Sequence, residues 1–155
     1  MNQVMDEVPT HSVVRLYRRF SPAGRAVLWL SIPFTLLDAI HYYTAGAAIV
    51  VSTPVLVLIY LLCGALAAHF AYQDQTEIER LPKTGRSAGL RLWLTSTVIN
   101  TLISLVLGVV TLGGTLLSGA AYLCLFGPLH ALGSFVVGGW GAWLYQRFLR
   151  RQQDV

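Results

Sequence analysis

Long apolar tracts alternate with short charged blocks along the chain, and the polar positions inside the tracts recur at helical spacing. Between Arg25 and Asp74 the one charged residue is Asp38, and between Arg91 and Arg147 there is none. A membrane crossing takes about 20 apolar residues, so each tract has room for two crossings and not for three. The expected spans are 26–46, 54–73, 91–112 and 120–145. They predict an all-α integral membrane protein, a four-transmembrane-helix bundle made of two helical hairpins. A segment over 1–25 precedes the first span, a loop over 74–90 joins the hairpins, and a basic tail over 147–155 closes the chain. Pro54 is expected in the first turn of the second span, where its missing N–H costs nothing. Pro33 and Pro128 fall within spans, where neighbouring helices can cover the freed carbonyls.

Each span carries small and polar residues at intervals of three and four, which places them on one helix face. These are Ser31, Thr35, Asp38, Tyr42 and Ala45 in the first span and Tyr60, Gly64, Ala68 and Tyr72 in the second. The third has Thr97, Asn100 or Thr101, Ser104, Gly108 and Thr111; the fourth has His130, Ser134, Gly138 and Ala142. Lipid gives helices little hydrophobic reason to associate, so close backbone approach at small residues has to hold them together. Gly64, Ala68, Gly108, Ser134, Gly138 and Ala142 are therefore the expected helix-packing positions, with Leu, Val, Ile and Phe turned to lipid. Small pairs of this kind also permit a homo-oligomer.

Composition agrees with that pattern. Of 155 residues, 55% are hydrophobic and 12% charged, with a mean hydropathy of +0.60, against roughly 25% charge in a soluble domain. The net charge of +4 and pI near 9.4 would suit a nucleic-acid partner, but the placement of the basic residues points to a membrane. Arg15, Arg18, Arg19 and Arg25 precede the first span, Arg80, Lys83, Arg86 and Arg91 lie in the middle, and Arg147, Arg150 and Arg151 end the chain. None lies near 44–53 or 113–119. Cytoplasmic loops collect Lys and Arg, so both termini and the central loop are expected in the cytoplasm, with two short turns outside. Trp29, Trp93, Trp140 and Trp143 all stand beside the basic blocks, as residues of a membrane interface do. The stretch Ser12 to Phe20 mixes Arg with Val, Leu, Tyr and Phe and reads equally as an interfacial helix or a plain flanking segment. Met1 to His11 is polar and acidic, so no secretory signal peptide is expected.

The two hairpins share a faint repeat. Ala23-Gly24-Arg25-Ala26-Val27-Leu28-Trp29-Leu30 resembles Ala88-Gly89-Leu90-Arg91-Leu92-Trp93-Leu94, and each hairpin closes on Tyr-Gln, at Tyr72-Gln73 and Tyr145-Gln146.

An ionisable group within a span is costly and is a candidate for function. At about 1.5 Å per residue from the nearest Trp, Asp38, Asn100 and His130 fall close to the midplane. His41 lies one turn beyond Asp38, and Tyr60 can reach a similar depth. Asp38, His41, Tyr60, Asn100 and His130 thus form a candidate intramembrane polar site: a proton or cation path with Asp38 titrating, or a packing layer in which Asp38 is protonated or paired. His69 and His11 are expected to face solvent. The Asp38-x-x-His41 spacing suits a metal pair, but a bundle metal site needs carboxylates from several helices and no other intramembrane carboxylate exists. No metal, haem or other cofactor is expected. Cys63 and Cys124 sit in apolar segments and read as packing residues.

Other motifs mislead. Leu81-Pro82-Lys83-Thr84-Gly85 resembles a sortase LPxTG signal, yet two spans follow it and its loop is expected inside. Gly113-Gly114 and Gly138-Gly139 lack the strand and helix context of a phosphate loop. No nucleophile and base have supporting spacing, so the chain is not expected to be an enzyme. The leading expectation is a small multi-pass protein of a bacterial-type cytoplasmic (inner) membrane, an accessory, scaffolding or assembly partner acting within the bilayer. The alternative is a small transporter or channel-like protein using the buried polar layer. Expected partners are the lipid bilayer and a membrane protein or second copy, and not nucleic acid.

Overall fold

A computed structural model describes the backbone of residues 17–43, 49–111 and 114–153. The expected tail segment before Tyr17 and most of the first outer turn lie outside these residues. The described residues are helical and hold no strand. Helix α1 spans Pro22–Tyr43, α2 Ile49–Gln73, α3 Leu81–Thr111 and α4 Gly114–Gln153, with a 3-10 turn at Ile78–Arg80 before α3.

Local signals fix several helix ends. Ser21 caps α1: its Oγ accepts from the Gly24 N–H at 3.2 Å, and Pro22 in the first helical position forfeits no hydrogen bond. Helix α2 ends where Gln75 takes a φ of 62°. The Thr76 N–H reaches the Ala71 carbonyl at 2.9 Å and the Gln75 N–H reaches that of Tyr72 at 3.0 Å. This pair of bonds is a Schellman cap, a position where glycine usually supplies the left-handed residue. Gln75→Gly is expected to raise stability by about 0.5–1 kcal/mol, since the side chain makes this conformation costly. Thermal unfolding in detergent reads the shift, and a lower midpoint would contradict the assignment.

Several boundaries differ from those expected: residues 49–53 and 114–119, expected in the two outer turns, begin α2 and α4. Residues 81–90, expected in the loop, form the first turns of α3, and the basic tail continues α4 to Gln153. Charged residues with long side chains are good helix formers, so charge marks where the apolar layer ends and not where the helix ends. At 1.5 Å per residue, α3 is about 46 Å long and α4 about 60 Å, both beyond a hydrocarbon layer of about 30 Å. Helix α2 starts at Ile49, ahead of Pro54, which sits inside the helix and removes one of its hydrogen bonds.

Helices α2 and α3 each pack against both α1 and α4 and so form the middle of the bundle. One core cluster joins α1, α2 and α3 through Ala23, Ala26, Phe34, Cys63, Ala67, Ala88 and Leu92; a second joins α2, α3 and α4 through Ala68, Ala71, Leu81, Ala142 and Leu149. The repeated segments meet in the first cluster, Ala23 and Ala26 from one and Ala88 and Leu92 from the other.

Small side chains carry the core and large ones the exterior. Trp29, Ile32, Leu36, Leu58, Leu62, Leu94, Leu102, Leu129, Leu132 and Trp140 are each at least half exposed. A protein folded in water buries such side chains first. Exposed apolar area of this extent marks a contact surface for another protein or for a membrane. Among the described residues one helix, Thr53–Gln73, is long and apolar enough to cross a membrane, and Pro22–Leu37 is a shorter apolar helix.

Candidate functional site

Long-range polar contacts gather at one end of the bundle. Arg25 at the start of α1 pairs with Asp74 after α2. Arg91 in α3 donates from Nη1 to Ser21 Oγ at 2.8 Å, and Gln146 near the end of α4 donates from Nε2 to the Ile78 carbonyl at 3.0 Å. The three charged blocks therefore share that end.

Arg25 is the centre of this end and not the exposed flanking cation its position before the first span suggests. It is 6% exposed. Its guanidinium lies 5.1 Å from the Phe70 ring centroid and 5.9 Å from that of Tyr17, with the two rings edge to face. Aromatic faces and a carboxylate offset the desolvation of the charge, although Nε is buried with no hydrogen-bond acceptor.

His69, expected in solvent, is half-buried between two hydrogen bonds. Its Nδ1 lies 2.8 Å from the Tyr145 hydroxyl and its Nε2 lies 3.0 Å from Gln73 Nε2. The Gln73 amide nitrogen can only donate, so His69 Nε2 accepts and Nδ1–H donates to the Tyr145 hydroxyl, an assignment that follows from the hydrogen-bond pattern. The Tyr-Gln repeats contribute unequally: Gln73 comes from the first and Tyr145 from the second, while Gln146 clasps the 3-10 turn. Cation, rings, imidazole and phenol thus link α1, α2 and α4 in one contact chain from Asp74 to Tyr145. Tyr145→Phe, which removes one interhelical hydrogen bond, is expected to cost about 1 kcal/mol. His69→Phe should cost no less, and the double variant should cost less than the sum of the two. Denaturation by SDS in mixed micelles measures all three, and strict additivity would contradict the shared bond.

A second feature is a crossing of three helices at small residues. Gly64 of α2, Gly85 and Gly89 of α3, and Ser134, Gly138 and Ala142 of α4 meet backbone to backbone. A Cβ added at Gly138 would stand 2.6 Å from the Gly85 carbonyl oxygen and 3.0 Å from the Gly89 Cα. One at Gly64 would lie 2.7 Å from the Gly138 carbonyl carbon. Gly141 packs as tightly against the Leu61 carbonyl. Of the expected packing positions, Gly64, Ala68, Ser134, Gly138 and Ala142 are buried, and the surroundings of Gly108 lie outside the described residues. Gly85 and Gly89 escaped the sequence reading because they fall among charges. Their i,i+4 spacing was visible within the LPxTG-like stretch and just beyond it.

The expected polar site is only partly described. Asp38 and His41 belong to α1, and their side chains lie outside the described residues. Tyr60 is half-buried, its ring 4.8 Å from Phe34. Asn100 is half-buried and donates from Nδ2 to Ser96 Oγ at 3.3 Å, within its own helix. His130 is exposed on α4, although Ser134, Gly138 and Ala142 further along its stripe are buried. Gly133, between His130 and Ser134, is exposed as well, and an added Cβ there would meet nothing within 4 Å. Among the described residues no group of three His, Cys, Asp or Glu could hold a metal. Comparison with known protein families, with curated proteins and with solved structures finds no match.

Proposed function

We propose that the chain is a four-span membrane bundle with both termini on the cytoplasmic side, serving as an accessory or scaffolding partner for other components of that membrane. The inversion of side-chain size carries this reading. Alanine, glycine, serine and cysteine predominate in the interior beside a few large side chains such as Phe34, Leu81 and Leu92, while most Leu, Ile, Val and Trp cover the outside, the arrangement that suits helices surrounded by lipid. The convergence of the charged blocks at one end supports a single cytoplasmic face. Backbone contact at the glycine crossing fills the space where a conducting lumen would run, which favours packing over transport.

The test is extraction and labelling. The protein is expected to stay with membranes through an alkaline wash. In a background with Cys63 and Cys124 replaced, a cysteine at Ala47 should react with an impermeant maleimide in intact cells and one at Thr76 only after permeabilisation. Release by alkali would overturn the membrane reading, and labelling at Thr76 from outside would overturn the orientation. Purification in mild detergent should retain a stoichiometric partner, and its repeated absence would count against the accessory role.

A further inference from the structure

A groove of about 780 Å³ opens on the outer surface between α2, α3 and α4. Leu61, Phe135, Val136, Trp140, Trp143 and Leu144 line it together with Arg86. Its size falls within the roughly 300–1,000 Å³ of small-ligand clefts.

Arg86 is the polar feature of this groove. Its guanidinium lies 5.6 Å from the Phe135 ring centroid, and the ion pairs among the described residues, Arg25 with Asp74 and Arg80 with Glu77, do not involve it. The side chain lies over Gly139, where an added Cβ would stand 2.7 Å from Arg86 Cγ and 3.1 Å from its Nε. The missing side chain at Gly139 therefore makes the channel along which the arginine lies. Arg147 adds a second cation beside the groove, 4.8 Å over the Trp143 ring. Among the described residues, no acidic one lines the groove.

We infer that this groove binds one anionic phospholipid, its phosphate against Arg86 and an acyl chain along Phe135 and Val136. Three properties select that occupant. A guanidinium with no ion pair among the described residues, set against apolar side chains, calls for a molecule that is anionic at one end and apolar at the other. Paired tryptophans favour the headgroup level of a bilayer, and basic pockets between helices on the cytoplasmic side suit anionic headgroups. A guanidinium also matches phosphate with two parallel N–H donors, which lysine cannot do.

This inference rests on the membrane reading above, and its test separates the two. The purified protein is mixed with micelles containing phosphatidylglycerol or phosphatidylcholine brominated on the acyl chains, and quenching of tryptophan fluorescence is followed. Phosphatidylglycerol is expected to quench at about tenfold lower concentration, the equivalent of one charge-assisted contact. That preference should vanish in Arg86→Gln and in Gly139→Leu, which fills the channel, and should shrink but persist in Arg86→Lys. Circular dichroism confirms that each variant is folded. Gly139→Leu meets only a movable side chain, so it serves as the second variant should Arg86→Gln fail to fold.

Equal quenching by the two lipids, or an undiminished preference in folded Arg86→Gln and Gly139→Leu, would overturn the site. Displacement of phosphatidylglycerol by millimolar inorganic phosphate would also overturn it, since that marks a free-anion site. If the protein stays with membranes through an alkaline wash but shows no preference, the lipid site alone falls. If it washes out, the membrane reading falls first.

Discussion

Gly138→Ala is expected to destabilise the protein by about 3 kcal/mol, the upper end of the usual cost of overpacking, and Gly138→Leu to prevent accumulation of folded protein. The reason is the identity of the atoms in the way. An added methyl would meet the Gly85 carbonyl at 2.6 Å and the Gly89 Cα at 3.0 Å, and the backbone of a packed helix cannot swing aside as a side-chain tip can. Relief requires α4 to move off α3, which draws Ala142 and Leu149 away from their cluster as well. Against a total stability of 5–15 kcal/mol for an ordinary domain, that loss is large. Gly133 supplies the control, because a Cβ there meets nothing within 4 Å. Gly133→Ala should stay within about 0.5 kcal/mol of the parent. SDS unfolding of both variants in mixed micelles decides the matter, and equal midpoints for Gly138→Ala and Gly133→Ala would refute the crossing.

The existence of four long helices and the common end of the charged blocks were legible because both follow from local chemistry. Apolar runs of spanning length and clusters of arginine need no knowledge of the fold. The same signal misplaced the start of α3. Arg80, Lys83 and Arg86 suggest a loop, yet helix formation does not require apolar residues, and Pro82 in the first turn is a helix-start residue. With the segment taken as loop, Gly85 and Gly89 were not considered as packing positions, although they lie at the spacing already used for Ser134, Gly138 and Ala142.

Burial at the charged end could not be read from the sequence for a different reason. Arg25 meets Asp74 across 49 residues of chain, and His69 meets Tyr145 across 76. Neither partner is marked by spacing, and a lone arginine beside an apolar tract looks the same whether it faces water or the carboxylate of another segment. The groove at Arg86 depends likewise on three helices and on an absent side chain at Gly139. A glycine in a sequence records only that no side chain is there, and what fills the vacated space becomes visible once the neighbouring helix is in place.

The Arg25–Asp74 pair makes an asymmetric prediction. The arginine side chain is 8% exposed and the aspartate side chain 46%, so the two single variants strand different charges. Asp74→Ala leaves a guanidinium buried between the Tyr17 and Phe70 rings with no carboxylate. Breaking a fully buried pair in this way costs about 3–5 kcal/mol, and the partial exposure of Asp74 reduces the expected loss to about 2 kcal/mol. Arg25→Met leaves a carboxylate that water can reach, and its aliphatic side chain keeps the contact with Phe70, so its cost should be about 1 kcal/mol. Combining them removes both charges and should restore part of what Asp74→Ala loses, because a buried ion pair replaced by apolar groups of similar shape is often neutral. Thermal unfolding of the four proteins in one detergent gives the cycle. A double variant as unstable as the sum of the singles, or a larger loss from Arg25→Met than from Asp74→Ala, would mean that Arg25 acts through its own packing and not through its partner across the bundle end.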